Sequence, residues 1–198
     1  MMKKIFAVGI TGASGGIYGV TLVQQLLLAG HKVHLIVTEA GWQVFKEELD
    51  WDTTDRDKLM KKHFPIENNA ELHYHTLRDF NAPIASGSYQ CDGMIIIPCS
   101  MGTLSGIAQG ASGNLLERAA DVMLKERKKL ILVPRETPLH AIHLENMQKV
   151  VQAGGQVLPA MPGFYHKPKS LEDIVNFLVG KALDNLGVEH HLFTRWGD

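Results

Sequence analysis

Gly9-Ile-Thr-Gly-Ala-Ser-Gly-Gly-Ile-Tyr18 is the stretch on which the fold prediction depends, because it joins a short apolar run to a long amphipathic one. Residues 5–10 are apolar and favour a β-strand, while apolar residues recur at helical spacing from Ile17 to Leu27. The stretch therefore predicts a strand, a glycine-rich turn and a helix that begins at the carboxyl end of that strand. Unpaired N–H groups and the positive end of the helix dipole favour an anion there, most often a phosphate.

Strand-like and helix-like segments alternate along the rest of the chain. The further strands are predicted at residues 31–38, 71–75, 93–97, 130–133 and 156–158. The helices after the first are predicted at residues 40–48, 55–63, 104–108, 115–125, 139–153 and 171–186. This alternation predicts an α/β fold with an open, mostly parallel sheet and helices on both of its faces.

Capping residues mark several of these helix ends. Asn114 is a good N-cap for the helix at 115–125. Thr137 as N-cap, with Pro138 at the first helical position, predicts a helix that starts at about residue 139. Gly187 closes the last helix.

Glycine, hydroxyl and charged residues follow four of the predicted strands. In open parallel sheets, ligands bind beyond the carboxyl ends of the strands. We therefore expect the turns at residues 12–15, 38, 100–103 and 135–137 to converge on one edge of the sheet. Arg135 and Glu136 directly follow a buried strand, where a cation and a carboxylate are typical of a phosphate clamp and of a proton donor or acceptor.

Length and composition bound the class of protein. The 198 residues suit a single domain, spanning 1–198, with a sizeable core. Twenty Lys and Arg against 21 Asp and Glu give a net charge of -1, so we expect no nucleic-acid or membrane partner. Cys91 and Cys99 are too few for a disulfide framework, and no leader or membrane-spanning run is seen, so we expect a cytoplasmic protein.

Other interpretations of the glycine-rich turn stay open. Its glycines do not follow the G-x-G-x-x-G dinucleotide pattern or the Walker pattern, although Glu39 after the second strand leaves a nicotinamide cofactor possible. Another alternative is that the glycines have no binding role and only permit close packing of the strand against the helix. Gly12-Ala-Ser-Gly-Gly16 also fits the G-x-S-x-G elbow of hydrolases, but there the serine lies in mid-sheet, whereas Ser14 follows the first strand.

Several further residue groups have both a functional and an ordinary structural interpretation. His73 with His75 and His140 with His143 have tolerable metal-ligand spacing, but no thiolate or carboxylate cluster completes a site, so no metal is expected. Arg118, Asp121 and Lys125 share one helical face, which is usually a solvated charged face. Phe164-Tyr165 lies in a Pro-flanked loop and is either core or lid, with the phenol favouring a lid.

Taken together, several long motifs in the same order resemble those of the UbiX/Pad-type flavin prenyltransferases, over nearly the whole chain. The motifs are Gly12-Ala-Ser-Gly15 with Tyr18-Gly19, Pro98-Cys-Ser-Met-Gly-Thr-Leu104, Arg118-Ala-Ala-Asp-Val122 with Leu124-Lys-Glu-Arg127, Arg135-Glu-Thr-Pro138, His143-Leu-Glu-Asn-Met147 and Pro162-Gly-Phe-Tyr165.

The resemblance implies a Rossmann-like (flavodoxin-like) three-layer fold that binds reduced FMN and an allylic prenyl phosphate, usually dimethylallyl monophosphate. In this family the prenyl group is transferred to N5 of the flavin and then joined to C6, giving prenylated FMN for a UbiD-type decarboxylase. The family usually forms dodecamers with sites at subunit contacts. Two alternatives are a flavin-binding or delivery subunit of an aromatic-acid decarboxylase without transferase chemistry, and a free-standing decarboxylase.

The resemblance also implies site residues, carried over by motif. For FMN they are Gly12, Ala13, Ser14, Thr38, Ser100, Met101, Gly102, Thr103 and Arg135. For the prenyl phosphate they are Arg118, Lys125, Tyr165 and Lys181. The catalytic set is Ser14, Glu48, Lys125, Glu136 and Trp196, the last as an aromatic wall.

This chain departs from the common family pattern at two positions. Thr38 stands where members often have Ser, and Lys181 stands where they often have Arg. Lysine keeps the charge but cannot bind phosphate in the bidentate way of arginine. The sequence also leaves open whether Glu48 or the adjacent Glu47 faces the site.

The implied chemistry agrees with the residue types. A phosphate leaving an allylic carbon needs positive charge around its oxygens, which Arg118, Lys125 and Lys181 supply without a metal. The allylic cation is stabilised by aromatic faces and by exclusion of water. Glu136 is then expected to move a proton.

Overall fold

The computed structural model describes residues 2–66, 68–195 and 197, and contains a six-stranded sheet in the order β3-β2-β1-β4-β5-β6. All five neighbouring strand pairs are parallel. The strands are β1 Ile5–Ile10, β2 Lys32–Val37, β3 Glu71–His75, β4 Gly93–Cys99, β5 Leu130–Pro134 and β6 Gln156–Val157. The predicted sheet is confirmed, with every pairing parallel.

Helices connect the strands in the manner of parallel α/β folds, where each crossover carries the chain back to the amino end of the next strand. They are α1 Gly16–Leu28, α2 Glu39–Leu49, α3 Arg56–His63, α4 Met101–Ala108, α5 Leu115–Lys125, α6 Ala141–Gln152 and α7 Leu171–Leu186, with a short 3₁₀ turn at Pro83–Ala85.

The two faces of the sheet pack against different helices. On one face, Phe6, Val8 and Ile10 of β1 belong to a core that includes buried residues of α1 and α7. On the other face, Ala7 belongs to a second core shared with α4 and α5. Alternate residues of a strand point to opposite faces, which explains this division. The three-layer prediction is therefore confirmed.

Two predicted helix starts are wrong. Helix α4 begins at Met101 instead of residue 104, because the Ser100 side chain accepts a hydrogen bond from the Thr103 N–H and caps the helix there. Helix α6 begins at Ala141 with His140 at the N-cap position, so Thr137 is not its cap. The N–H of Thr137 instead donates to the carboxylate of Glu136 at 2.9 Å, which holds this segment in a bend ahead of the helix.

Cys91 and Cys99 are free thiols and both are buried. Burial raises the pKa of both thiols. No helix within the described residues combines the length and apolar character needed to cross a membrane.

Candidate active site

The segments that follow four of the strands meet at one edge of the sheet. The N–H of Thr38 donates to Ile10 O at 3.0 Å, which joins the ends of β1 and β2. The N–H of Thr11 donates to Pro98 O at 3.2 Å, and so joins the ends of β1 and β4. The N–H of Arg135 lies 3.4 Å from Cys99 O, which brings the end of β5 to the same place. The predicted convergence of the four turns is observed.

The glycines of the turn after β1 have distinct structural reasons. A Cβ on Gly12 would collide with the Cβ of Ala40 in α2, so this position allows the turn to approach α2 closely. Gly15 precedes α1 with φ 104°, a conformation that favours glycine. The packing interpretation of the glycines therefore accounts for Gly12.

Glu48 occupies the positive end of α1. Its Oε2 accepts hydrogen bonds from the N–H groups of Gly15 at 2.9 Å and Gly16 at 3.0 Å. A carboxylate of the same chain therefore lies at this helix end, where the sequence predicts an anion. Of the adjacent glutamates, the structure places Glu48 at the turn. Burial, and then the charge of Glu48, raise the pKa of the nearby Tyr18.

Arg135 crosses from β5 to the turn after β1. Its Nε donates to Ser14 O at 3.2 Å, so the guanidinium lies beside the glycine-rich turn. The neighbouring Glu136 uses Oε1 to accept the N–H of Thr137 at 2.9 Å, and in the described chain its Oε2 makes no hydrogen bond. A cation and a carboxylate with a free oxygen are thus placed side by side at the edge.

The turn after β4 presents the start of α4 to the same edge. Ser100 caps the helix and its Oγ donates to Thr103 Oγ1 at 3.1 Å. Met101 is buried, whereas a Cβ on Gly102 would meet no atom within 4 Å. The first turn of α4 therefore faces open space at Gly102, where a flat group can approach its N–H groups.

Thr11 is a site residue that the sequence analysis missed. Its side chain is fully buried. Its Oγ1 donates to Pro98 O at 2.9 Å and accepts the N–H of Ser100 at 2.7 Å. A threonine immediately after an apolar strand and inside a glycine-rich turn is the signal that points to such a bridging role.

Thr38 has a comparable but more local role. Its Oγ1 accepts the N–H of Gly41 at 3.0 Å and so caps α2. Since α1, α2 and α4 all begin at this edge, their positive ends point to one region.

Arg118 and Lys125 lie on α5, away from the four turns that meet at this edge. Both project from α5 towards the segment before β4: Arg118 Nε donates to Ala85 O at 3.1 Å, and Lys125 Nζ lies beside Gly87. Arg118 also pairs with Asp121 at 2.8 Å, and Lys125 pairs with Glu126. Across the described residues neither cation bonds to the four turns, so one chain alone does not bring them to Arg135.

Tyr165 lies in the loop before α7, and Lys181 lies within that helix. Tyr165 is 45% exposed in the loop after β6 and packs edge-on against Phe177, with ring centroids 5.6 Å apart. Phe164 is 65% exposed, which agrees with a lid and not with core packing. Lys181 is ten residues into α7, about 15 Å from the start of that helix. Trp196 lies outside the described residues.

The histidine pairs considered as metal ligands have other partners. His140 and His143 stack with ring centroids 3.5 Å apart. His75 Nδ1 lies 3.1 Å from Asp79 Oδ2, and His73 Nε2 lies 3.2 Å from Glu71 Oε2. Over the part of the chain that the structure describes, no group of three or more His, Cys, Asp or Glu side chains is arranged to hold a metal.

Comparison with known proteins places this chain in a family. A family model described as Flavoprotein matches residues 1–183. The flavin prenyltransferase UbiX of Alkalihalophilus pseudofirmus is 68% identical over 197 residues, covering 100% of this chain and 98% of the relative. The chain belongs to the UbiX flavin prenyltransferase family.

Solved structures agree with this family. A crystal structure of the UbiX protein AnUbiX (PadA1) in complex with FMN and dimethylallyl pyrophosphate superimposes with a TM-score of 0.90 at 36% identity, covering 100% of this chain and 99% of that one. A dodecameric FMN-dependent UbiX-like decarboxylase from Escherichia coli O157:H7 gives a TM-score of 0.87 at 40% identity, covering 98% and 100%. The UbiX family resemblance is therefore confirmed, and the hydrolase interpretation of Ser14 is set aside.

Proposed function

We propose that this chain is a flavin prenyltransferase that transfers a dimethylallyl group from dimethylallyl monophosphate to reduced FMN. The observation that carries the proposal is its 68% identity, over the full chain, to a flavin prenyltransferase UbiX. Reduced FMN is the acceptor substrate and supplies the two positions, N5 and C6, that receive the group. The product, prenylated FMN, would serve a UbiD-type decarboxylase.

The converging turns suit FMN. The start of α4 is open at Gly102, and the guanidinium of Arg135 lies beside the turn after β1, so N–H donors and a cation face the same space. These are the groups that bind phosphate and the polar atoms of a flavin. The residues that would hold FMN are Gly12, Ala13, Ser14, Thr38, Ser100, Met101, Gly102, Thr103 and Arg135.

The prenyl phosphate would be held by residues of two copies of the chain. Arg118 and Lys125 lie apart from the turns within one chain, while Tyr165 is exposed in the loop after β6. We propose that a second copy supplies Arg118 and Lys125 to complete a site with Tyr165 and Lys181. The dodecameric E. coli relative supports such an assembly, and we propose a homododecamer.

The charges then suit departure of phosphate from an allylic carbon. Breaking the carbon–oxygen bond leaves negative charge on the phosphate, which Arg118, Lys125 and Lys181 would neutralise without a metal. Glu136 has a free Oε2 and would move a proton to the phosphate or from C6. Ser14 and Glu48 would orient the flavin side of the site, and Trp196 would form an aromatic wall.

Release of inorganic phosphate tests this function. Wild-type protein incubated without oxygen should release phosphate from dimethylallyl monophosphate only when reduced FMN is present. Lys125→Met should slow release at least tenfold, whereas Lys61→Met, at an exposed lysine of α3, should not. A flavin-binding or delivery protein would release none, and a free-standing decarboxylase would instead release carbon dioxide from an aromatic acid without a partner.

We further propose that residues 1–198 act as one domain in the cytoplasm. The buried free thiols of Cys91 and Cys99 support a reducing compartment.

A further inference from the structure

A chain of hydrogen bonds runs from the end of β3 to the loop before β4. Asp79 Oδ2 lies 3.1 Å from His75 Nδ1, and His75 Nε2 lies 2.8 Å from His34 Nδ1. His34 Nε2 in turn lies 2.8 Å from the hydroxyl of Tyr89. The four side chains therefore connect the edge of the sheet to the segment Ala85–Tyr89, which we call the 85–89 loop.

The carboxylate at one end fixes the direction of every bond when both imidazoles are neutral. Asp79 only accepts, so His75 donates from Nδ1 and must accept at Nε2. His34 then donates from Nδ1 to His75 and accepts at Nε2. Tyr89 therefore donates its hydroxyl proton to His34, and the ammonium group of Lys32 interacts with the same hydroxyl oxygen.

His34 is well suited to stay neutral. It lies on β2 and is 2% exposed, and the ring of Tyr89 meets it edge-on with centroids 5.3 Å apart. Its pKa is lowered to about 3, first by burial and then by positive charge, against the opposing charge of Glu71. The groups that contribute this positive charge are His75 and His73, once they are protonated, and Lys32.

The 85–89 loop contacts the two cations of α5 that we propose for phosphate binding. Ala85 O accepts from Arg118 Nε at 3.1 Å, which with Asp121 fixes the plane of the guanidinium. A Cβ on Gly87 would lie 2.6 Å from Lys125 Nζ and nearer still to Oε1 of its partner Glu126, so the loop backbone packs against this ion pair. Tyr89 O accepts from Lys128 Nζ at 2.8 Å, which joins the same loop to the segment after α5.

We propose that Tyr89, held by His34, is a positioning residue for the prenyl phosphate subsite. The Tyr89 hydroxyl fixes one end of the 85–89 loop, and the loop fixes Arg118 and Lys125 in the geometry that receives a phosphate. This inference rests on the proposed function. It adds Tyr89 and His34 to the determinants of phosphate affinity, although neither touches the substrate.

The position of this hydrogen-bond network predicts which of the two binding affinities a mutation should change, that for the prenyl phosphate or that for FMN. Its side chains lie on β2, on β3 and the segment that follows it, and on the 85–89 loop, whereas the turns proposed for FMN are joined by Thr11, Thr38 and Arg135. Loss of the Tyr89 hydroxyl should therefore weaken binding of the prenyl phosphate and leave FMN binding unchanged. A general loss of folding would change both.

Tyr89→Phe tests the proposal, because it removes the hydroxyl and keeps the ring. The expected result is a KM for dimethylallyl monophosphate raised about tenfold, the size of one well-formed hydrogen bond, with kcat and the Kd for FMN within twofold of wild type. Tyr74→Phe is the matched control: Tyr74 lies on β3 but packs with Trp42 on the opposite face, and should leave all three constants unchanged.

His34 provides the rescue test. In His34→Gln a side-chain amide oxygen can still accept from Tyr89, so the KM should stay within threefold of wild type, whereas His34→Ala should match Tyr89→Phe. The Kd of dimethylallyl monophosphate with oxidised FMN, measured by calorimetry, should follow the same order without turnover.

The positioning role of Tyr89 and the proposed function would be overturned by different results. A wild-type KM in Tyr89→Phe, or equal changes in Tyr89→Phe and Tyr74→Phe, overturns the positioning role while the proposed function stands. A wild-type protein that neither binds nor consumes dimethylallyl monophosphate overturns the proposed function, and the positioning role with it.

Discussion

Glu48 caps the helix that begins at Gly16: its Oε2 accepts the Gly16 N–H at 3.0 Å although 32 residues separate them. The same oxygen accepts the Gly15 N–H at 2.9 Å. This pairing ties α2 to the glycine-rich turn and satisfies N–H groups that a helix leaves unpaired at its start.

Removing this carboxylate is expected to destabilise the fold. Glu48→Ala should lower the free energy of unfolding by about 1 kcal/mol, because the start of α1 loses a charged acceptor. Urea unfolding followed by circular dichroism measures the change. Glu47→Ala is the control at the adjacent exposed position and should change it by less than about 0.5 kcal/mol. Equal effects of the two substitutions would show that the contact with Gly15 and Gly16 does not stabilise the turn.

Thr11 offers a second test of how the edge is held together. Thr11→Val should cost about 1–3 kcal/mol of stability, because it leaves the Ser100 N–H without its acceptor, while Pro98 O keeps only the backbone N–H of residue 11. Thr11→Ser keeps the hydroxyl and should restore most of that loss. FMN affinity should fall in the valine variant, since the turn that begins α4 is no longer fixed. Thermal unfolding and flavin fluorescence titration measure the two effects, and an unaltered Thr11→Val protein would contradict them.

Arg135 is expected to determine FMN affinity. Arg135→Met removes the guanidinium beside Ser14 O and should raise the Kd for FMN at least tenfold. Arg135→Lys should recover only part of the affinity, because an ammonium group cannot reproduce the planar set of donors. Arg78→Met, at an exposed position, is the control for loss of charge. An FMN Kd that is the same in Arg135→Met and wild type would show that Arg135 does not contribute to FMN binding.

The depressed pKa of His34 makes stability depend on pH. Between about pH 6.5 and 3 the unfolded chain binds a proton at His34 that the folded chain does not. The contribution of neutral His34 to the free energy of unfolding is therefore complete above pH 6.5 and is lost as the pH falls towards 3. The limiting slope is about 1.4 kcal/mol per pH unit for one group. Chemical unfolding at several pH values should show a shallower slope for His34→Gln than for wild type. Identical slopes would mean that folding does not lower the pKa of His34.

The fold could be predicted from the sequence because its signals are local. Apolar runs such as residues 5–10 and 93–97, each followed by glycine and hydroxyl residues and then a helical pattern, were enough to predict the sheet and the edge where the turns meet. The predicted start of α6 was wrong because a proline at position 138 is as compatible with a loop as with the first position of a helix. The hydrogen bond from the Thr137 N–H to Glu136, which the sequence does not reveal, favours the loop.

Contacts between residues far apart in sequence could not be predicted in this way. The bond from Glu48 to Gly15 spans 33 residues and that from His34 to Tyr89 spans 55, and no local pattern reports either. The motifs of the family gave the roles of Arg118 and Lys125, but the single chain places both against the 85–89 loop, so their approach to FMN depends on a second copy.

The mass of the flavin after reaction tests the central claim most directly. Wild-type protein should be incubated without oxygen with reduced FMN and with dimethylallyl monophosphate deuterated in its allylic group, and the flavin then measured by mass spectrometry. The proposed function predicts a flavin that gains one complete labelled dimethylallyl unit, at a rate that falls in Glu136→Gln. An unmodified flavin mass, with substrate bound and FMN kept reduced, would contradict it.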